Sequence, residues 1–256
     1  MLWAFLIALL IAKLASGPEE IFMIPKLDKE IKSHVVDKER KNESLLVAKE
    51  AKKEIKAFEK LRKDTLKQIE KLGKSKQVPS DELLEIFKVY NNARLNMQSV
   101  LNDKRLKLQE LITDDEWKQL IENAVLPSEK AMRNIGKADS KEDDQVEKLI
   151  IKIEETIIQE IKDAGRKQNL LISLEKFNKT LQEFIETGQL MNFKDNKIMR
   201  SKNTSREELE DFYKTQHELR HKGTIEYFQL RDATIKNTNE EEWKVIYKTI
   251  TGIIKS

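Results

Sequence analysis

Apolar side chains recur every three to five residues along most of this chain. From Asp28 to Leu72 the positions Ala51, Ile55, Phe58, Leu61, Leu66, Ile69 and Leu72 fall on one face of a heavily charged rod, which predicts one long amphipathic helix. Gly73 ends it, and "GKSKQVPSD" reads as a loop. Ser80 is placed to cap a second helix, with Asp81 and Glu82 in its first turn. Leu84, Phe87, Tyr90, Met97, Leu101, Leu108 and Leu111 carry its stripe. Arg94 and Lys104 fill missing steps of that seam, and they are expected at its edge with only their stems covered.

The phrase "ITDDEWKQL" then predicts a tight corner into a short helix that ends before Pro127. Thr113 is a natural N-cap, and Glu116 stands where its carboxylate can reach back to the Thr113 amide. Ile112 and Trp117 occupy the two positions of a hydrophobic staple around that cap. "GKADSKEDDQ", residues 136–145, reads as a polar linker. Beyond it Val146, Ile150, Ile153, Ile157 and Ile161 form a helical stripe that Gly165 interrupts. Leu171, Leu174, Phe177, Leu181 and Phe184 continue it to Gly188, and a loop rich in Lys and Asn runs to Thr204.

The second half then rewrites the first. Ser205 with Glu207 and Glu208 matches Ser80 with Glu82, and Leu209 and Phe212 match Leu84 and Phe87. Asn239, Glu242 and Trp243 match Thr113, Glu116 and Trp117 with one residue inserted. The expected organisation is a hydrophobic segment at 1–17, a connector at 18–27, a first helical unit at 28–135, the linker, and a second unit at 146–256. The fold class is all-α: amphipathic helices in antiparallel bundles or hairpins, internally duplicated, with an N-terminal hydrophobic helix. No single stripe can be buried by its own helix, so the helices must pack on one another.

Composition agrees with that picture. Charged residues make up 36% of the chain against 6% aromatics, with 7 glycines and 4 prolines in 256 residues. Zero cysteine excludes disulfides, thiolate metal sites and a cysteine nucleophile. The net charge of +3 comes from 48 basic and 45 acidic side chains whose signs interleave. Nucleic acid is not an expected partner, because no one-sign stripe with aromatics appears; glutamates break up the best candidate, Lys49 to Lys76.

"MLWAFLIALLIAKLAS" opens the chain, apolar from Leu2 to Ala12. As a helix, Leu2 to Ala15 covers roughly 21 Å, short of a ~30 Å hydrocarbon core. A cleaved signal peptide would carry a basic start and a small-x-small site; here no basic residue precedes the run and Pro18 follows Gly17. An uncleaved single-pass anchor is therefore the expectation over a signal peptide, with "IFMIP" at 21–25 adding interfacial contact. Lys13, Lys26, Lys29 and Lys32 all follow the run, which leans the body to the cytoplasmic side.

One stretch resembles catalytic chemistry. His217 and His221 in "HELRH" sit one helical turn apart, as two zinc ligands would, with Glu218 placed to polarise a bound water and Glu240 as a third ligand. Against a zinc peptidase, Arg220 lies inside the stretch, Lys214, Lys222 and Arg231 flank it, and no upstream strand pattern offers a substrate edge. The acidic triplet Glu240 to Glu242 also matches Asp114 to Glu116, which marks it as a helix start. The plainer reading is two surface histidines with no metal and no cofactor.

"ITDDEW" also resembles the L-T-x-x-Q turn of Spy/CpxP-like periplasmic helical proteins, with Ile112, Thr113 and Glu116 where that family has Leu, Thr and Gln. The resemblance covers about a tenth of the chain and implies a non-enzymatic stress chaperone or sensor modulator in the periplasm, on the opposite membrane face from the charge lean. The expected function is a membrane-tethered, non-catalytic protein acting by protein–protein contact, and some stripe left uncovered would suit a partner or a homo-oligomer.

Overall fold

The computed structural model describes residues 19–122 and 139–252, and those residues are all helix and connecting turns. The first part holds α1 (Glu19–Met23), α2 (Leu27–His34), α3 (Lys38–Gly73), α4 (Ser80–Leu111) and α5 (Asp114–Glu122). The second holds α6 (Asp139–Glu160), α7 (Ala164–Arg200), α8 (Arg206–Asn237) and α9 (Glu240–Gly252). The hydrophobic N-terminal segment expected at 1–17 lies outside the described residues. No described helix is long and apolar enough to cross a membrane.

Two copies of one unit are visible, related by a constant shift. Lys38 at the start of α3 answers to Ala164, Ser80 to Arg206, Asp114 to Glu240 and Leu111 to Asn237, each 126 residues on. Nothing is inserted between cap and corner. Ser205 therefore answers to Pro79 and not to Ser80, Leu209 to Leu83 and Tyr213 to Phe87, which corrects the one-residue offset read from the sequence. Ser205 caps α8 in a full capping box with Glu208. Pro79 opens α4 with no side-chain cap, its ring fixing the φ of −63° that the position adopts.

Four other boundaries differ from the periodicity. The helix expected from Asp28 to Leu72 breaks at 35–37, where two β-branched valines lead to Asp37, whose carboxylate accepts from the Arg40 amide at 2.8 Å. The second copy breaks at the same place: Asp163 accepts from the Arg166 amide at 2.7 Å, and Gly165 lies inside α7. The helix expected to stop at Gly188 continues to Arg200. One glycine costs a helix interior only about 1 kcal/mol, which packing of α7 along α8 offsets. The linker expected at 136–145 is already helical from Asp139.

α3 and α4 form one long hairpin, α7 and α8 the other, and the two meet through α4 and α8. Two apolar cores result. One joins Ile69, Leu83 and Phe87, near the turn of the first hairpin, to Ile153, Leu170 and Phe177, at the base of the second. The other joins Val47, Leu101, Leu108 and Trp117, at the first base, to Leu209, Phe212 and Tyr213, near the second turn. Each core therefore takes side chains from both copies. Between them α4 and α8 bury a polar layer of Asn91, Arg94, Gln98, Gln216, Arg220 and Thr224. Arg94 is only 4% exposed, so it sits inside the seam rather than at its edge, with its guanidinium 6.0 Å from the Phe58 ring centroid. Lys104 keeps a partly covered stem and binds Glu50 at 2.6 Å.

Ile21, Phe22 and Ile24 are 1–3% exposed in the second core. Most of the stretch at 21–25 is thus spent on the fold, because α1 packs against α3 and α4. Met23 and Pro25 are the exposed residues of that stretch.

Candidate functional site

The six residues singled out as corners lie at the two helix junctions that the sequence placed. At the first, the Glu116 amide donates to Thr113 Oγ1 at 3.3 Å and the Thr113 amide to Glu116 Oε2 at 2.9 Å, a reciprocal capping box. At the second, the Glu242 amide donates to Asn239 Oδ1 at 2.9 Å and the Asn239 amide to Glu242 Oε2 at 2.7 Å. Ile112 and Trp117 bury together in one core.

Each capping glutamate has a second task. Arg40, in the first turn of α3, donates to Glu116 through Nη1 at 2.6 Å and Nη2 at 3.0 Å. Its Nη1 also reaches the Leu111 carbonyl at 2.7 Å, and the Val36 amide donates to Glu116 Oε1 at 3.0 Å. Arg166 repeats this on Glu242 at 2.8 and 3.2 Å and on the Asn237 carbonyl at 3.3 Å. Such bidentate pairs tie the start of each long helix to the corner of its own copy. The Arg40 guanidinium overrides the opposing effect of burial and, with the Thr113 and Val36 amides, holds the Glu116 carboxyl at about 2. Burial pushes Glu242 upward, yet Arg166 and the Asn239 amide bring it below the usual carboxylate range.

The tryptophans point across to the other copy. Trp117 Nε1 donates to the Arg200 carbonyl at 2.8 Å, and Trp243 Nε1 to the Lys74 carbonyl at 3.4 Å. A buried arginine stands over each indole, Arg105 at 5.9 Å and Arg231 at 5.8 Å from the ring. Arg105 donates through Nη2 to the carbonyls of Ile198 at 2.8 Å and Ser201 at 3.1 Å. Arg231 donates to the Ser75 carbonyl and to Ser80 Oγ, both at 2.9 Å. The Ser80 hydroxyl thus accepts from this arginine instead of capping its helix. The periodicity missed all four arginines, since it registers apolar steps. The 126-residue shift without gaps would have paired Arg40 with Arg166 and Arg105 with Arg231.

The residues that resembled a zinc site do not converge. His217 and His221 stack on α8 with ring centroids 6.4 Å apart, while Glu218 and His221 face solvent. Glu240 lies beyond the far end of α8, about 24 Å along its axis from His221 at 1.5 Å per residue. There it faces the Gln77 amide nitrogen at 3.3 Å. Among the described residues no group of three or more His, Asp or Glu is placed to hold a metal. Partial burial, then the neighbouring Arg220 and His221, push the His217 pKa below the usual histidine value.

Beside the second corner an open cleft of about 430 Å³ is lined by Lys74, Lys76, Lys244, Trp243 and Tyr247 among others. Tyr247 stacks on Trp243 at 5.9 Å, and burial raises its hydroxyl to about 12. Glu240 is the one carboxylate among the residues that line it. No family model, no curated protein and no solved structure matches the chain.

Proposed function

We propose that this protein is a membrane-tethered, non-catalytic helical module that works by protein–protein contact, as an adaptor, scaffold or chaperone-like protein. The observation that carries the reading is where its chemistry is spent. The groups with the most perturbed surroundings at the corners, Glu116, Glu242 and Arg231, are engaged in joining helix to helix. Meanwhile Leu46 and Ile172, which hold equivalent positions in the two copies, stand 54% and 42% exposed, and Ile151 and Ile158 are also exposed on α6. Aliphatic side chains kept out of two well-filled cores suit contact with a partner.

The tether is the apolar run of Leu2 to Ala12. Because α1 is docked into the body from Ile21 onward, few residues separate that run from the folded part, and the body would sit close to the bilayer. The test is a photo-crosslinking amino acid at position 46 or 172 of the full chain in its native membranes. The reading expects one and the same protein captured from both positions, with capture from position 46 lost on Ile172→Glu and capture from position 172 lost on Leu46→Glu. A chain that fractionates as soluble, or that captures nothing specific, would sink it. About one equivalent of tightly held zinc, lost on His217→Ala, would replace it by metal chemistry.

A further inference from the structure

We infer that the two copies are each other's binding partner, joined by a reciprocal clasp that does not depend on the peptide link between them. Each copy presents a clasp, Arg105 with Trp117 or Arg231 with Trp243, and a key, the hairpin turn that the sister's clasp grips. This goes beyond the proposed contact function and holds whether or not the chain is tethered.

Three observations carry it. The first is reciprocity. Trp117 binds the Arg200 carbonyl, and 126 residues on Trp243 binds the Lys74 carbonyl, at the position equivalent to Arg200. Arg105 binds the Ser201 carbonyl and Arg231 that of Ser75 in the same way. A surface that meets its own copy by exchanging the same contacts is the signature of an isologous, two-fold interface.

The second is the chemistry of the grip. The last carbonyls of a helix have no partner within it and carry the negative end of its dipole. Here the end of α7 is met by a guanidinium and an indole N–H from the other copy, and the turn after α3 is met likewise. Gln109 adds a bond to the Thr204 carbonyl, and Lys76 reaches the Thr238 carbonyl from the opposite side. Both clasp arginines are fully buried.

The third is the shared cores. Leu83 and Phe87 are buried against Leu170, Phe177 and Tyr227, so neither hairpin closes a core without the other. The polar layer of α4 and α8 sets the register, because a slip along it would put Arg94 or Arg220 into an apolar core.

The experiment cuts the link in the intact protein. A specific protease site is placed in the segment 127–138 of the full chain, the folded protein is cleaved, and gel filtration, native mass spectrometry and circular dichroism follow it on dilution. The fragments are expected to remain a one-to-one complex at micromolar concentration with the helical signal kept, and unfolding should become concentration-dependent only after cleavage. Trp117→Phe with Trp243→Phe keeps the rings but removes both indole donors, and it should weaken the cut complex at least tenfold while the uncut chain stays folded. Arg105→Ala with Arg231→Ala should weaken it more. Fragments that part at micromolar concentration, folded or not, would overturn the inference, as would clasp variants that pair as tightly as the parent.

Discussion

The indole nitrogen of Trp117 donates to the backbone carbonyl of Arg200 at 2.8 Å, and this bond runs from the corner of one copy to the last residue of the other copy's long helix. A corner is usually a local device. Here its tryptophan is also an inter-copy contact, held beneath Arg105. Replacing Trp117 or Trp243 by Ala should cost about 3–5 kcal/mol, and by Phe about 1 kcal/mol, the usual worth of one hydrogen bond. Urea midpoints measure both. Melting like the parent in both Ala variants would disprove the assignment of the corners.

Glu116 contributes stability that depends on its staying ionised in acid. Its carboxyl is held at about 2, below the value near 4.5 of an unconstrained glutamate. The unfolded chain therefore takes up this proton first as pH falls. The stabilisation is complete above about pH 5 and is lost progressively toward pH 2, about 2–3 kcal/mol in all. Glu116→Gln should lower stability at pH 7 and leave a shallower loss between pH 5 and 3, as measured by denaturant titration at each pH.

His217 gives a second titration of the same sign, in a higher pH window. Its folded pKa lies below the histidine reference, so it stays neutral where the unfolded chain already binds a proton. Stability should fall as pH drops below about 6.5. The equivalent residue of the first copy is Asn91. His217→Asn should flatten the change between pH 7 and 5, and an unchanged slope would show that another group is responsible.

Lys26 is the one non-glycine residue with positive φ among those described, at φ 62° between α1 and α2. A lysine there costs about 1 kcal/mol or somewhat more. Lys26→Gly should remove that cost against a smaller entropic loss, so the melting temperature should hold or rise. A marked fall would show that the lysine side chain supports the turn.

Phe22 tests the role of the stretch before that turn. It is 1% exposed and packed in the second core. Phe22→Ala should destabilise the fold by about 3 kcal/mol or more without changing how the chain partitions into membranes. The reverse pattern would return this stretch to the membrane interface.

The amino-acid order alone determined the helical class, the doubling, and both corners with their caps. These are local matters: a stripe at helical spacing, or an acceptor three residues before a carboxylate, acts through neighbours in the chain. Periodicity was silent on Arg105, Arg231, Arg40 and Arg166, since an arginine in a charged rod looks like surface until another element covers it. It misplaced the pairing of Ser80 because a serine before acids reads as a cap, whereas Pro79 holds the cap position and Ser80 lies in the first turn, where its hydroxyl accepts from Arg231. Tertiary structure decided that the two copies share their cores and grip each other's turns. The reason is that carbonyls at helix ends and half-covered stripes are satisfied by whatever the fold brings near, which residues close in sequence cannot reveal.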